Sequence, residues 1–492
     1  MAESIEQAHQ KVQSAFAVAV ALADASERRK FAAFESRLWT QLLVLGRALV
    51  SLFLARQAQR PRSLEYRHGG RRYLLDDGRV SELGTRFGKV RFERPVGRQP
   101  EDRRAAADWV VDRELGLCAG FSLGVVTGVT RLVAQMAFGV ARETYREIYE
   151  WAPSPRALLR MVDAVGGHAR KFLEPATGPE DDGDMLFIQV DGRGAPMISA
   201  SEHERRCRPH EAREAGATKR APRRRRLTQR PRTRRTKGKK SKNAKVAIVG
   251  VLYTLQRVPE GLEGPIHKRL YATFESHRAL FMWLRCEADK RGYGEQRTIF
   301  LGDGSEHIWR LQQEYFPKAE ACIDWYHVME YLWSGGQAIY AEGSPELLAW
   351  VGRQARLLRH GSAGAVIDEL RRRRQAIAKT GPGTKGKRQR LDKATKYLVD
   401  NRRRLIYRTL LRDNLDIGSG AVEGAVRNLV AMRLDGPGMR WSRARSEMVL
   451  HLRCILLNDQ WKEFTDYLAR QPQLSLHAKP TPTIPHTAKK AA

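Results

Sequence analysis

Three carboxylates occupy positions where a folded chain can hold them for chemistry. In MLFIQVDGRG (185–194) an almost continuously apolar run ends in Asp191-Gly192, and in RTIFLGDGS (297–305) a second one ends in Gly302-Asp303-Gly304. A short apolar run cut off by an Asp-Gly pair reads as a buried strand presenting a carboxylate at its C-terminal tip. The third acid, Glu423, lies in DIGSGAVEGAV (416–426), a Gly-rich turn that opens a helix. A capping-box role for it would need Ser or Thr at position 420, which is glycine. Val426 and Val430 share its helical face, so the carboxylate is expected to border the buried side, where it needs a partner or a metal. Hard cations take oxygen ligands. Asp191, Asp303 and Glu423 fit two Mg²⁺ (or Mn²⁺) ions about 3.5–4 Å apart, which activate an attacking oxygen and stabilise a leaving one in phosphodiester chemistry.

Other residues border this set. Asp324 ends a further strand read over 319–323 and precedes His327 at the start of a helix. Asp324 is read as a helix cap or as the group that orients His327. His327 is either bonded locally or placed near a substrate phosphate. Trp441, after Gly438-Met439-Arg440, is either core or a stacking platform for an unpaired base. Arg433 and Arg440 either grip phosphate or are surface charges.

The acids need a scaffold, and the pattern around them supplies one. Runs 246–255 and 268–274, separated by Pro259-Glu260-Gly261, read as a hairpin, and 276–291 as a helix closed by Gly292 and Gly294. Ile308, Leu311 and Tyr315 mark another helix, capped by Ser305 and stopped at Phe316-Pro317. Three strands in a meander followed by alternating helix and strand make an α/β mixed sheet with helices on both faces. In a ribonuclease H-like sheet of this order the first and fourth strands are parallel neighbours, so Asp191 and Asp303 lie together. Asp324, on the fifth strand, lies about 4.8 Å further out. Open α/β sheets place their sites at that edge.

Around this domain (183–343 and 416–468) the chain divides by composition. Residues 1–65 are helical, 66–100 form a small β-rich segment with Asp76-Asp77-Gly78 between its alternating runs, and 101–175 are helical again. In that last segment Leu132, Met136 and Val140 are spaced by four, and two helices joined by a tight turn are either a DNA-reading pair or an ordinary packed one. Residues 344–415 read as a basic helical insertion broken at Gly381-Pro382-Gly383, and 469–492 as a disordered tail.

The 88 Lys and Arg against 55 Asp and Glu give the 492-residue chain a net charge of +33, which points to a polyanionic partner. A hydrophobic content of 42% excludes a disordered chain. The charge peaks in a loop at 205–245, inside the sheet domain. There Arg223, Arg224, Arg225, Arg226, Arg234, Arg235, Lys239 and Lys240 are expected to bind DNA beside the acids. No membrane span or signal peptide is expected, which places the protein in the cytoplasm, on the nucleoid. The five cysteines form no C-x-x-C pair, so neither disulfides nor a zinc ribbon is expected, and Cys207 and His210 lack partner ligands.

Taken together, Asp191-Gly192, Gly302-Asp303-Gly304, the Asp324-Trp325-Tyr326-His327 box and GSGAVEGAVRNLVAMRLDGPGMRWS (418–442) resemble the DDE transposases of the Kra-type bacterial insertion sequences, and more distantly the Mutator-like enzymes. The resemblance spans 112–465. It implies a ribonuclease H-like catalytic domain split by an insertion before the last acid, with Asp191, Asp303 and Glu423 as the metal-binding triad. It further implies a homo-oligomer on DNA that binds element ends, frees 3′-hydroxyls and joins them to target DNA. Relatives often carry a cysteine-rich region before the first helical domain. Residues 94–117 contain no cysteine, so zinc-dependent end recognition is not expected. A nuclease or resolvase without strand transfer, and a DNA-binding protein with a decayed site, are the alternatives.

Removing residues 208–242 is expected to leave the fold intact while weakening DNA binding and flattening its salt dependence. Titrations at several salt concentrations check this, and an unchanged slope would remove the loop as a DNA contact.

Overall fold

The computed structural model describes residues 4–24, 30–102, 105, 107–118, 120–174, 178–199, 201–202, 244–436 and 439–471. The expected basic loop from 205 to 243 and the tail from 472 lie outside the described residues, as do Cys207 and His210. The chain divides into two compact units, 1–172 with 459–492, and 173–458.

The first unit opens with α1 (Ile5–Ala23), whose start is fixed by a reciprocal Ser4–Gln7 capping box, and α2 (Phe31–Ala58). Strands β1 (Glu65–His68), β2 (Arg71–Thr85) and β3 (Gly88–Arg98) form an antiparallel sheet. The Asp76-Asp77-Gly78 stretch is a register shift within β2, and the strands reverse at Arg86-Phe87 instead. The reason lies in β3, where buried Val90, Phe92 and Arg94 alternate with exposed Lys89, Arg91 and Glu93. Only a tight turn just before Gly88, at φ +111°, keeps that register, and β2 absorbs its surplus residues as a bulge. Leu54 of α2 packs with Leu83, Val90 and Phe92.

Against expectation, α2 is long and apolar enough to cross a membrane by length and composition; Leu43, Leu52 and Leu54 are its buried residues. Then come α3 (Val110–Leu115), α4 (Leu123–Gln135), α5 (Phe138–Tyr149) and α6 (Pro155–Leu173). Leu132, Met136 and Val140 do not share one helix. Extended backbone at Met136 and Ala137 ends α4 and starts α5, leaving Val140 56% exposed.

The second unit is built on β4 (Met185–Pro196), β5 (Ala244–Val258) and β6 (Gly261–Thr273), followed by α7 (His277–Asp289), β7 (Arg297–Gly302), α8 (Glu306–Tyr315), β8 (Glu320–Ile323) and α9 (Trp325–Gly336). The sheet order is β6-β5-β4-β7-β8, antiparallel through β6, β5 and β4 and parallel through β4, β7 and β8. The first and fourth strands are therefore parallel neighbours, as in a ribonuclease H-like sheet of this order. This mixed sheet with its helices is compatible with a ribonuclease H-like fold. Between β7 and its covering helices Phe300 is fully buried, its ring centroid 5.7 Å from that of Phe281 and 6.0 Å from that of Phe316.

Helices α10 (Pro345–Arg359), α11 (Ala363–Ala376), α12 (Thr384–Asp400) and α13 (Tyr407–Arg412) form the insertion, with Gly383 at φ +74° opening α12. Leu347, Val351, Ala355 and Leu358 of α10 are buried, whereas Leu348 is 57% exposed. The chain returns in α14 (Gly420–Val426), a π turn over Arg427–Ala431, α15 (Met432–Leu434) and α16 (Arg443–Leu457). It crosses to the first unit at Asp459, ahead of the expected boundary at 468, with α17 (Trp461–Ala469) in that unit.

Phe300→Ala should destabilise the second unit by about 3–5 kcal/mol, since it removes a buried ring and leaves a cavity between strand and helices. Urea denaturation measures this; a loss under about 1 kcal/mol would mean that the site collapses freely.

Candidate active site: an acid row at the sheet edge

The register of the parallel strands builds the site. Val190 pairs with Gly302, and Gly302 with Ile323. One residue further along each strand come Asp191, Asp303 and Asp324, so three carboxylates form a row across three neighbouring strands about 4.8 Å apart. β4 does not end at Asp191 as its Asp-Gly pair suggested. It runs on to Pro196 paired with β5, while β7 stops, so Asp191 sits where the sheet opens.

The three have different tasks. Asp191 accepts the Gly192 N–H at 2.6 Å, and Asp303 that of Ser305 at 2.8 Å. Ser305 precedes α8 without a side-chain cap bond, so the carboxylate of Asp303 holds the turn that the serine was expected to hold. Asp324 is 1% exposed and fully engaged. Its Oδ2 accepts His327 N at 2.9 Å and His327 Nδ1 at 2.7 Å, and its Oδ1 accepts Ser419 N at 2.7 Å. Burial works against its charge, but the bonds from His327 and Ser419 outweigh it and hold the carboxyl below the usual range.

Helix α14 brings Glu423 to the row because two sheet side chains hold its start. Asp324 takes the Ser419 N–H, and Gln189 Oε1 takes that of Val422 at 3.0 Å, while Gln189 Nε2 donates to the Tyr253 hydroxyl at 3.2 Å. Trp325 N also donates to Ile417 O at 3.0 Å. These bonds satisfy amides that a helix start otherwise leaves unpaired. Sequence reasoning missed Gln189. Its signal was a lone polar residue in an apolar run, two positions before Asp191 and so on the same strand face.

Glu423 is exposed and does not border the buried side, which Val422, Ala425 and Val426 take. It also has the local partner that its spacing seemed to deny. Ser419 holds the N-cap position one residue earlier, and its hydroxyl makes no cap bond but donates to Glu423 Oε1 at 2.8 Å.

Electrostatics tie the set together. Asp191 is pushed above its ordinary pKa by burial; Gly192 N–H and His327 oppose the rise, and Asp303 and Glu423 add to it. Asp191 thus feels both other acids singled out from sequence. The hydrogen bond to Asp324 pushes His327 up to about 9 against its own burial, with Asp191 and Asp303 contributing. His327 is an imidazolium among carboxylates. Among the described residues no group of three or more His, Cys, Asp or Glu side chains is gathered as a metal site. The donor chemistry of Asp191, Asp303 and Glu423 suits a hard divalent cation, and the repulsion felt at Asp191 is what such a cation relieves.

The remaining candidates separate. Trp441 is 6% exposed, donates Nε1–H to Leu434 O at 3.1 Å and exchanges backbone bonds with Pro196 and Ile198, so it takes the core reading. Arg433 is neither a phosphate grip nor a surface charge: it is 1% exposed, its guanidinium 4.7 Å from the Trp441 ring centroid. Arg440 is half exposed and 3.8 Å from Glu202. The loop residues Arg223, Arg224, Arg225, Arg226, Arg234, Arg235, Lys239 and Lys240 lie outside the described residues.

No protein-family model matches this sequence, and no curated protein matches it. Among solved structures the chain is similar to the Drosophila P element transposase strand transfer complex, at 10% identity over 74% of this chain and 85% of that one, with a TM-score of 0.25. A likeness of that degree carries no argument, and the reading rests on the acids themselves.

The folded chain holds the His327 proton up to about pH 9, whereas an unfolded histidine releases it near 6.5. Its stabilisation is therefore complete below pH 6.5 and lost as pH rises through 9. With the side chain 34% exposed, screening reduces the effect to about 1–2 kcal/mol. Denaturation of the metal-free chain between pH 6 and about 9.5 should show this fall, and His327→Gln should flatten it. An equal fall in both proteins would remove His327 as its source.

Proposed function

We propose that this chain is a DDE-type transposase of the Kra-type insertion-sequence kind, acting on DNA with Asp191, Asp303 and Glu423 as its catalytic acids. The observation that carries the reading is the pairing of Val190 with Gly302, which sets Asp191 beside Asp303 on parallel strands while α14 brings Glu423 into the field of Asp191. Two Mg²⁺ or Mn²⁺ ions held by these three carboxylates would supply Lewis acidity for attack on a phosphodiester and for departure of the leaving oxygen.

The chain's own residues do the rest. β4 and β7 fix two carboxylates side by side, and the bonds from Gly192 and Ser305 orient them. The imidazolium of His327, held by Asp324, offsets acid repulsion in the free enzyme and presents positive charge where a substrate phosphate arrives. Asp324 is a positioning residue, since its oxygens are spent on His327 and Ser419. The net charge of +33 draws DNA towards the acids. Strand hydrolysis freeing a 3′-hydroxyl, followed by attack of that hydroxyl on target DNA, uses the same acids twice, on a homo-oligomer carrying the element's ends. Strand hydrolysis alone, as in a nuclease or resolvase, is the alternative.

Glu423→Gln keeps size and hydrogen-bonding capacity, so α14 and DNA affinity should survive while Mg²⁺-dependent nicking falls roughly a thousandfold, about 4 kcal/mol in the barrier. Asp303→Ala should lose iron-mediated backbone cleavage at the site, and Asp324→Ala should retain it while weakening the fold around His327. Nicking at the wild-type rate in the Glu423 variant would make that acid structural. Loss of iron cleavage in the Asp324 variant alone would overturn the choice of Asp303.

A further inference from the structure

Beside the acid row, between the start of α7 and one side of α8, lies a cleft of about 450 Å³ lined by Ser276, His277, Arg278, His307, Arg310, Leu311 and Glu314. None of these residues belongs to the proposed triad. The cleft adjoins the triad: the Asp303 carboxylate holds the turn at Ser305 that opens α8, and His307 lies in the first turn of that helix. The His277 and His307 rings meet edge to face at 4.9 Å.

The balance of donors and acceptors decides what the cleft takes. Glu314, its one acid, is tied by both terminal nitrogens of Arg278, one at 2.9 Å, so its charge is matched within the wall. Arg310 donates to His307 Nδ1 at 3.0 Å and has no acid partner among the described residues. With Nδ1 accepting, His307 is left with Nε2–H as a donor. Burial, with repulsion from His307, lowers the pKa of His277 against the pull of Asp303, and an imidazole in its neutral form still has one N–H to give. The Ser276 hydroxyl accepts from Ala279 N at 3.1 Å and keeps its own proton to give. The cleft thus offers unmatched donors and the unpaired cation of Arg310, a setting for an oxyanion and not for a metal ion.

We propose that this cleft binds a backbone phosphate of the DNA strand whose neighbouring phosphodiester lies at the acid row. The inference rests on the transposase reading for the strand's identity. The carboxylate row repels a polyanion, so a strand passing over Asp303 gains from a cationic seat just beyond it. Arg310 supplies the charge and the two imidazoles and Ser276 the directed hydrogen bonds.

The test uses the full chain labelled with ¹³C-histidine. Inorganic phosphate titrated at constant ionic strength should shift the His277 and His307 ring signals, assigned with His277→Gln and His307→Gln. Arg310→Gln should weaken this binding about tenfold, as expected on losing one charged hydrogen bond. Glu314→Gln, which removes the only acid, should strengthen it, a direction that misfolding does not produce. On a DNA duplex without added Mg²⁺, the slope of log K against log salt should become shallower by about one in Arg310→Gln. Unmoved histidine signals overturn the site. Phosphate binding with an unchanged DNA slope also overturns the proposal, since the cleft then takes free phosphate and not a strand. If signals and slope both respond and wild type still fails to nick DNA with Mg²⁺, the subsite stands and the transposase reading falls.

Discussion

One buried carboxylate holds the site in register. Asp324 closes the end of β8, caps α9 through His327 N, fixes the His327 ring through Nδ1 and takes the first amide of the α14 turn through Ser419. A buried carboxylate is costly unless hydrogen-bonded throughout, and here each oxygen has a donor from a different element. The cost of leaving any of them unmet makes the arrangement specific: α14 cannot slide along the sheet without stranding the Asp324 charge and the Gln189 amide. Glu423 is placed by that constraint, although it touches neither residue.

Gathering acids on one edge raises a problem that the fold answers locally. Asp191, partly buried and facing Asp303 and Glu423, is driven towards its neutral form, and a neutral acid is a poor cation ligand. His327 counters with a charge held by Asp324 and not by the acids that need it relieved. The chain's large positive charge cannot do this, since charges beyond about 8–10 Å are screened at physiological salt.

What was legible in the sequence follows from what is local. Apolar runs ended by Asp-Gly pairs revealed β4 and β7, and it took a ribonuclease H-like order for the meander and the alternation after it to make them the parallel neighbours that bring Asp191 to Asp303. What was not legible depended on partners far along the chain. β4 runs past Asp191 because residues 244–249 of β5 pair with it. Glu423 was expected to face inward, yet Val422, Ala425 and Val426 take the buried side of α14 and Glu423 meets the Ser419 hydroxyl. Gln189 looked like a blemish in a strand, because its partner Val422 lies at the start of α14, more than two hundred residues away. Trp441 and Arg433 had two readings each; a π turn and a bridge from Trp441 to Met197 put both in the core.

The insertion reaches the row through a glycine. A β-carbon at Gly304 would run into the Tyr397 ring of α12, so the residue after Asp303 must be one with no side chain. Tyr397 in turn stacks on Tyr331 of α9, ring centroids 3.9 Å apart, and Arg404 lies 4.4 Å from the Trp309 ring centroid of α8. The turn carrying Asp303 is therefore enclosed by α8 on one side and the insertion on the other, and a β-carbon on Gly302 beneath it would press on Ile308 and Trp309. A packed interior does not yield smoothly to displacement. A shift of α12 would be felt at Asp303 before it was felt at Asp191, whose own ladder partner is Val249 of β5. The helical insertion is thus part of the wall that fixes the second acid, which gives a physical reason for its position between the strands of the sheet and the helix that carries Glu423.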